Sequence, residues 1–282
     1  MSRRMSPLAT YERISPNQSR PRTGQIRRNT PHCVDGNLTI ERTLGLSKFI
    51  NYDAKSGASC SYAIGSDGRM GLGVEESNRP WTSSSRANDH EAITFEIANN
   101  GPAPDYRISD AAINAWLDAS EEIARYYGYK KMNYQPKPVA VLPSQTENWI
   151  ATWAKEDEMI VTLHTWYNPL KACPGAYFMR QLPWLVKELN RRLSGGVKEA
   201  FVGEGASSQV VPSAPTPSSE VAYLIRITAS ALNVRKGPGT SNGIVTTLVN
   251  DKNIYTIVEE SNGWGRLKSG IGWLSLAYTK KV

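Results

Sequence analysis

The sequence predicts an α/β domain built on a mixed β-sheet flanked by helices, followed by a small all-β barrel. Three observations predict this. Hairpin-like and alternating runs, interleaved with long helical periods, fill the first two thirds of the chain. A stretch rich in Ser, Gly, Pro and Ala, residues 194 to 222, has neither period and reads as a linker. After it come only short β-rich runs and turns such as Gly237-Pro238-Gly239 and Asn262-Gly263. The divisions expected are a first domain over residues 1–195, a flexible linker over 196–220 and the barrel over 221–282.

The elements follow in order. "SYAIGSDGRMGLGV" reads as two short strands around an Asp67-Gly68 turn. "AITFEIAN" sets Ile93, Phe95 and Ile97 on one face and Thr94, Glu96 and Ala98 on the other, as a half-buried strand does. "SDAAINAWLDASEEIARYYG" reads as a helix, capped by Ser109, with Ile113, Trp116, Leu117, Ile123 and Tyr127 on one face and Gly128 at its end. "VAVLP" and "MIVTLHT" read as further strands. "CPGAYFMRQLPWLVKELNRRL" is a second helical region, in which Pro183 is expected to break or kink the helix or to start a new one.

Composition excludes several classes. No apolar run approaches the ~20 residues of a membrane span. The first residues lack the apolar core of a secretory leader, which implies synthesis in the cytoplasm. Three cysteines, Cys33, Cys60 and Cys173, are too few for a disulfide scaffold. Of the net charge of +7, residues 1–30 carry +6, from seven arginines and one glutamate. That arm reads either as attraction to a polyanion or as a solvated, partly disordered tail. No aromatic-interleaved basic patch or known nucleic-acid motif accompanies it. The oligomeric state is not legible.

The stretch "VTLHTWYNPLKACPGAYF" gathers His164, Lys171 and Cys173 in a chain with three histidines in all. His164 is expected to close a strand and Cys173 to sit at the mouth of a helix, near positive backbone dipole that favours its thiolate. With His32 from "RRNTPHC" they make two imidazoles and a thiolate, a ligand set suited to Zn²⁺ with one position left for water. Such a site acidifies that water. Glu96, on the polar face of its strand, is the candidate acid/base, and Lys171 the candidate oxyanion partner. Each residue also has an ordinary reading: a polar histidine at a strand end, a packed cysteine, a surface carboxylate, a solvated lysine. Pro31 implies an edge or irregular strand around His32.

These segments resemble the zinc-dependent N-acetylmuramoyl-L-alanine amidases of the amidase-2 type, a group related to phage lysozyme-amidases and peptidoglycan recognition proteins. "VTLHTWYNPLKACPGAYFMRQL" resembles the last metal-binding segment, "ASCSYAIGSDGRMGLGVEESNRPWTSS" the hairpin, and "ANDHEAITFEIAN" the acidic strand. "NTPHC" stands at the first metal histidine. The likeness covers roughly residues 10 to 195 and is nearest to endolysins and prophage amidases of Firmicutes. It implies an amidase or peptidoglycan-recognition-like fold and cleavage of the bond between N-acetylmuramic acid and L-alanine of the stem peptide. It assigns zinc to His32, His164 and Cys173, the acid/base role to Glu96 and the carbonyl contact to Lys171. Some members use a hairpin tyrosine where this chain has Cys60. His90 matches no ligand position, and Cys33, facing away from His32, reads as packing. The last 60 residues resemble bacterial SH3-type cell-wall-binding domains, with Trp264, Tyr255, Trp273 and Tyr278 as candidate contacts. Trp273, in an alternating strand, reads as core. The implied partner is peptidoglycan, bound through both domains without membrane insertion or nucleic acid. A cysteine-nucleophile hydrolase and a non-catalytic wall-binding protein are the alternatives. Release to the wall after cytoplasmic synthesis suits an endolysin.

Overall fold

The computed structural model describes residues 3–203, 223–235, 237–249, 254–261, 263–267 and 272–282. It divides into two units, Met1–Ser207 and Ser208–Val282. The first begins with β1 (Ala9–Glu12), β2 (Gln18–Ser19) and β3 (Arg28–Cys33), then two short helices, α1 (Ile40–Leu44) and α2 (Ser47–Ile50). The hairpin β4 (Tyr62–Ile64) and β5 (Met70–Leu72) follows, then β6 (Arg79–Pro80), α3 (Arg86–Glu91) and β7 (Ala92–Ile97). The rest is α4 (Asp110–Tyr126), β8 (Lys131–Asn133), α5 (Thr146–Ala151), β9 (Glu158–Val161), α6 (His164–Tyr167) and α7 (Ala176–Leu193).

Seven strands form one sheet in the order β1-β5-β4-β7-β3-β9-β8. Only β4 and β5 pair antiparallel; their turn places Gly68 at φ +85, where its Cα backs onto the Ala111 carbonyl and a Cβ has no room. The alternation along β7 decides the layering. Ile93, Phe95 and Ile97 join Ile113, Trp116 and Leu117 of α4 and Phe178, Leu182, Leu185 and Leu189 of α7 in the main core. The opposite face carries a smaller core of Val34, Ile40, Leu44, Phe49, Cys60, Ala63 and Ala98. The Ser109 hydroxyl accepts from the Ala112 amide at 3.2 Å and caps α4 as expected.

Several expectations are corrected. The residues "VAVLP" form a turn, with Val139 fully exposed, because prolines at 136, 138 and 143 deny the segment a strand ladder. α7 runs unbroken through Pro183. Its apolar face, packed against α4, outweighs the hydrogen bond that proline cannot donate. Strand β3 is interior, yet β9 pairs with it only as far as Asn29, so Pro31 lies past the last of those pairs.

The arginine-rich start is no solvated arm. Arg3 is clamped by Glu76 at 3.2 Å and Glu122 at 2.5 Å. The Ser6 amide donates to the Tyr62 hydroxyl, which donates to Glu76, each at 2.6 Å. Arg22 is buried and donates to the carbonyls of Glu76, Asn78, His90 and Ala92; burial draws its pKa down to about 10. The partners of Arg3 and Arg22 lie 54 to 119 residues away in sequence, so charge counting alone could not find them.

Residues 196–203, assigned to the linker by composition, lie against the first unit. Phe201 is 4% exposed, and its ring meets Trp184 edge-on at 5.4 Å. Its amide and carbonyl pair with the Asn114 side chain at 2.7 and 3.0 Å. Arg192 donates to the Glu199 carbonyl at 2.8 Å. The rest of the expected linker, residues 204–220, lies outside the described residues.

The second unit contains β10 (Tyr223–Ile227), β11 (Ala231–Arg235), β12 (Ile244–Val249), β13 (Ile254–Ser261), β14 (Trp264–Leu267), β15 (Trp273–Ser275) and β16 (Thr279–Lys281). They form one sheet around Ile225, Ile227, Leu232, Val234, Ile257, Leu267 and Leu274. In β15 it is Leu274, not Trp273, that enters the core. Residue 262 of the expected Asn-Gly turn is outside the described residues.

Candidate active site

The parallel pairing of β3 with β7 sets His32 directly opposite Glu96. Arg28, Thr30 and His32 alternate onto the face that carries Thr94 and Glu96, away from α4 and α7. His164 arrives from β9, three residues past the strand end, as the first residue of α6. Its ring centroid lies 4.8 Å from that of His32. Cys173 comes from the loop before α7, where Gly175 at φ +95 packs its Cα against the Asp105 carbonyl and leaves no room for a Cβ.

The ligating atoms of His32, His164 and Cys173 lie within 4.8 Å of one another. His32 Nε2 is buried and, among the described residues, has no hydrogen-bond partner. Burial, then the neighbouring His164 and Lys48, push the His32 pKa well below the ordinary value. Burial with Lys171 and Lys48 brings His164 down to about 4. Both imidazoles are thus neutral at pH 7. The Ser84 hydroxyl, held at φ +60, meets His164 Nε2 at 2.9 Å.

Burial pushes the Cys173 thiol well up, with Cys33 and Glu96 adding to the rise. The expected help from the helix is not what reaches the sulfur. Among the described residues, the backbone amide on Cys173 Sγ is that of Cys33, at 3.1 Å. Cys33 therefore contributes through its main chain, a role invisible to side-chain reasoning. Without a cation beside it, Cys173 is a thiol and a poor nucleophile. Two neutral imidazoles, one with an orphaned nitrogen, and a buried thiol fit a soft or borderline metal ion.

Glu96 is 7% exposed, and its Oε2 has no hydrogen-bond partner among the described residues. Burial raises its pKa to about 7, against the pull of Lys48 and Lys171. Glu96, His164 and Lys171 line one cleft of about 590 Å³. Lys48, Arg79, Trp81, Ser84 and Arg86 line it too, and sequence reasoning missed all five. Lys48 comes from α2, whose four residues show no periodic signal. Cys60 is buried in the smaller core beside the cleft, its thiol pushed well up by burial. His90 lies in the last turn of α3 and accepts a hydrogen bond from the Thr23 amide at 3.0 Å, away from the ligand set.

In the second unit, Trp264 and Tyr278 share a groove of about 510 Å³ with Asn233, Arg235, Thr240 and Ser275. Tyr255 packs against the core instead.

A family model described as N-acetylmuramoyl-L-alanine amidase matches residues 22–176, more than half of the chain. A second, described as bacterial SH3 domain, matches residues 230–280. No curated protein sequence matches. Similar solved structures include an AmpD crystal structure, at 16% identity and TM-score 0.43, covering 64% of this chain and 96% of that one. The endolysin amidase LysCS from Clostridium intestinale has 12% identity and TM-score 0.40, covering 63% and 97%. Staphylococcus aureus AmiA in complex with its ligand has 16% identity and TM-score 0.43, covering 66% and 85%. From the match over residues 22–176, the chain belongs to the N-acetylmuramoyl-L-alanine amidase family.

Proposed function

We propose that this peptidoglycan amidase works as an endolysin. It holds zinc through His32, His164 and Cys173 and cuts the amide between the lactyl group of N-acetylmuramic acid and L-alanine. The observation that carries the reading is the meeting of His32, His164 and Cys173 within 4.8 Å of one another, with His164 and Glu96 opening onto one cleft. Zinc, when bound there, supplies Lewis acidity to water and to the substrate carbonyl.

The chain's own groups do the rest. Glu96, with one oxygen free of partners, takes the proton of the attacking water at that oxygen and delivers it to the leaving nitrogen. Lys171 faces the same cleft and stabilises the developing negative charge on the carbonyl oxygen. Ser84 orients the His164 ring through its hydrogen bond to Nε2. The SH3 unit binds the wall through the Trp264 and Tyr278 groove and keeps the catalytic unit at high local concentration on its polymer.

Digestion of purified walls tests the assignment. New N-terminal alanine and free muramic lactyl groups are expected, with loss in chelator and recovery on adding Zn²⁺. Activity that survives chelation but not thiol alkylation reassigns Cys173 as a nucleophile.

A further inference from the structure

The cleft is lined by five cationic side chains, Lys48, Lys55, Arg79, Arg86 and Lys171, and by two carboxylates. One of these, Glu96, is the acid/base of the proposed mechanism. The other, Asp89, is saturated from within: it accepts from the Thr82 amide, the Ser83 amide and the Ser83 hydroxyl. Elsewhere in this unit arginines are commonly paired, as Arg3, Arg28, Arg180 and Arg192 are. Among the described residues, no ion pair reaches Lys55, Arg79, Arg86 or Lys171. Arg79 spends one nitrogen on the Ser19 hydroxyl at 2.6 Å, and its Nε is buried without a partner. Arg86 stands close enough to repel it. Asp89 attracts Arg79 through space but makes no ion pair with it, and five cations against two carboxylates leave the cleft net positive, the setting of an anion site.

The anion of the substrate nearest the cut bond lies in the stem peptide. The carboxyl group of muramic acid is consumed in the scissile amide, and the acetylated sugars are neutral. Charge near the cut bond therefore belongs to the stem peptide, whose second residue carries either a free α-carboxylate or a carboxamide. Arginine forks match a carboxylate with two parallel N–H donors, and a carboxamide lacks both the charge and the second acceptor.

We propose that the Arg79 and Arg86 side of the cleft is a carboxylate subsite that selects stem peptides bearing the free acid over the amidated form. This rests on the amidase reading and adds the class of stem it prefers.

The test uses two synthetic substrates, N-acetylmuramoyl-L-alanyl-γ-D-glutamyl-L-lysinamide and its D-isoglutaminyl counterpart, in which the γ-carboxyl is held in a peptide bond, with the full chain. The acid is expected to be cut with kcat/KM roughly tenfold higher, falling as salt screens the contact. In Arg86→Gln, an exposed position, the ratio is expected to shrink to within about threefold. Equilibrium binding of L-alanyl-γ-D-glutamyl-L-lysinamide and of its D-isoglutaminyl counterpart to the full chain, which involves no turnover, should show the same preference. Equal handling of acid and amide in both cleavage and binding overturns the subsite. Failure to cut either substrate, with the binding preference intact, overturns the amidase reading and leaves the subsite standing. Displacement of both peptides by a glycerol-phosphate polymer, with no acid-over-amide preference, assigns the cations to a phosphate polymer instead.

Discussion

His32 and Glu96 occupy paired positions on the adjacent parallel strands β3 and β7, so one register fixes both the first metal-ligand candidate and the acid/base candidate. A parallel ladder this short has little freedom to slip, since a one-residue shift would turn Glu96 into the core and Phe95 into the cleft. The chemistry is thereby tied to the hydrophobic pattern of β7.

Glu96→Gln is expected to lower turnover by roughly 10²–10⁴ while metal content stays at wild-type level. The wild-type rate should fall as pH drops through about 7, where the carboxyl takes up a proton and ceases to act as base. A bound dication moves that limb to lower pH. Loss of the limb in Glu96→Gln, read from a pH–rate profile, checks the assignment; an unchanged limb gives the proton to another group.

Zinc should stabilise the folded chain because its ligands come from three separate segments. At a hundredfold excess over Kd the gain is about 2.7 kcal/mol, or roughly 5–10 °C in Tm for a unit of this size. His32→Ala and Cys173→Ser should each lose the metal by elemental analysis and lose this increment. A Tm indifferent to Zn²⁺ in the wild type speaks against the site.

The tail at Phe201 sets where the catalytic unit can be cut. A fragment ending at residue 203 should melt as the intact unit does, whereas one ending at 195 exposes the Trp184 and Asn114 contacts. Phe201→Ala should cost up to about 3 kcal/mol, less than a mid-core phenylalanine because the tail can detach instead of leaving a void. Equal denaturation midpoints for the 195 and 203 fragments would show the docking to be without energetic weight.

Glu188 accepts from Arg191, Arg192 and the Glu199 amide and is held down to about 2. A carboxyl whose folded pKa is depressed stabilises the fold above its unfolded value of about 4.3 and loses that contribution as pH falls toward 2. Glu188→Gln should therefore be less stable at pH 7 by about 1–3 kcal/mol and flatter in stability between pH 4.5 and 2. Urea titrations at several pH values provide the check.

Trp264→Ala and Tyr278→Ala should each reduce sedimentation of the chain with purified walls. Tyr255→Ala, by contrast, should act through barrel stability. Unaltered sedimentation in both groove variants would move wall binding elsewhere.

Much of this was legible because it is periodic or chemically rare. The alternation of Ile93, Phe95 and Ile97 gave β7 and put Glu96 on its polar side, and α4 showed its cap and face. His164 and Cys173 stood out by scarcity in a short segment. What stayed hidden depends on partners distant in sequence. Arg3 and Arg22 look like free charge until Glu76 and its neighbours are brought to them. Lys48 sits on one helical turn with no pattern to mark it, and the Cys33 amide acts through the backbone, which composition does not describe. Phe201 was masked by the serines and glycines around it.

That last residue also has a mechanical meaning. When a lytic enzyme holds its substrate at one point and works on it at another, tension passes along the chain between them. On the catalytic side, the last bonds among the described residues are the Asn114 clamp on Phe201 and the Arg192 contact to Glu199. They stand ahead of α7, whose N-terminal end adjoins Cys173. A pull that peels away eight residues is spent before it reaches the helix leading to the metal-ligand candidates, so the docked tail acts as a strain relief for the site.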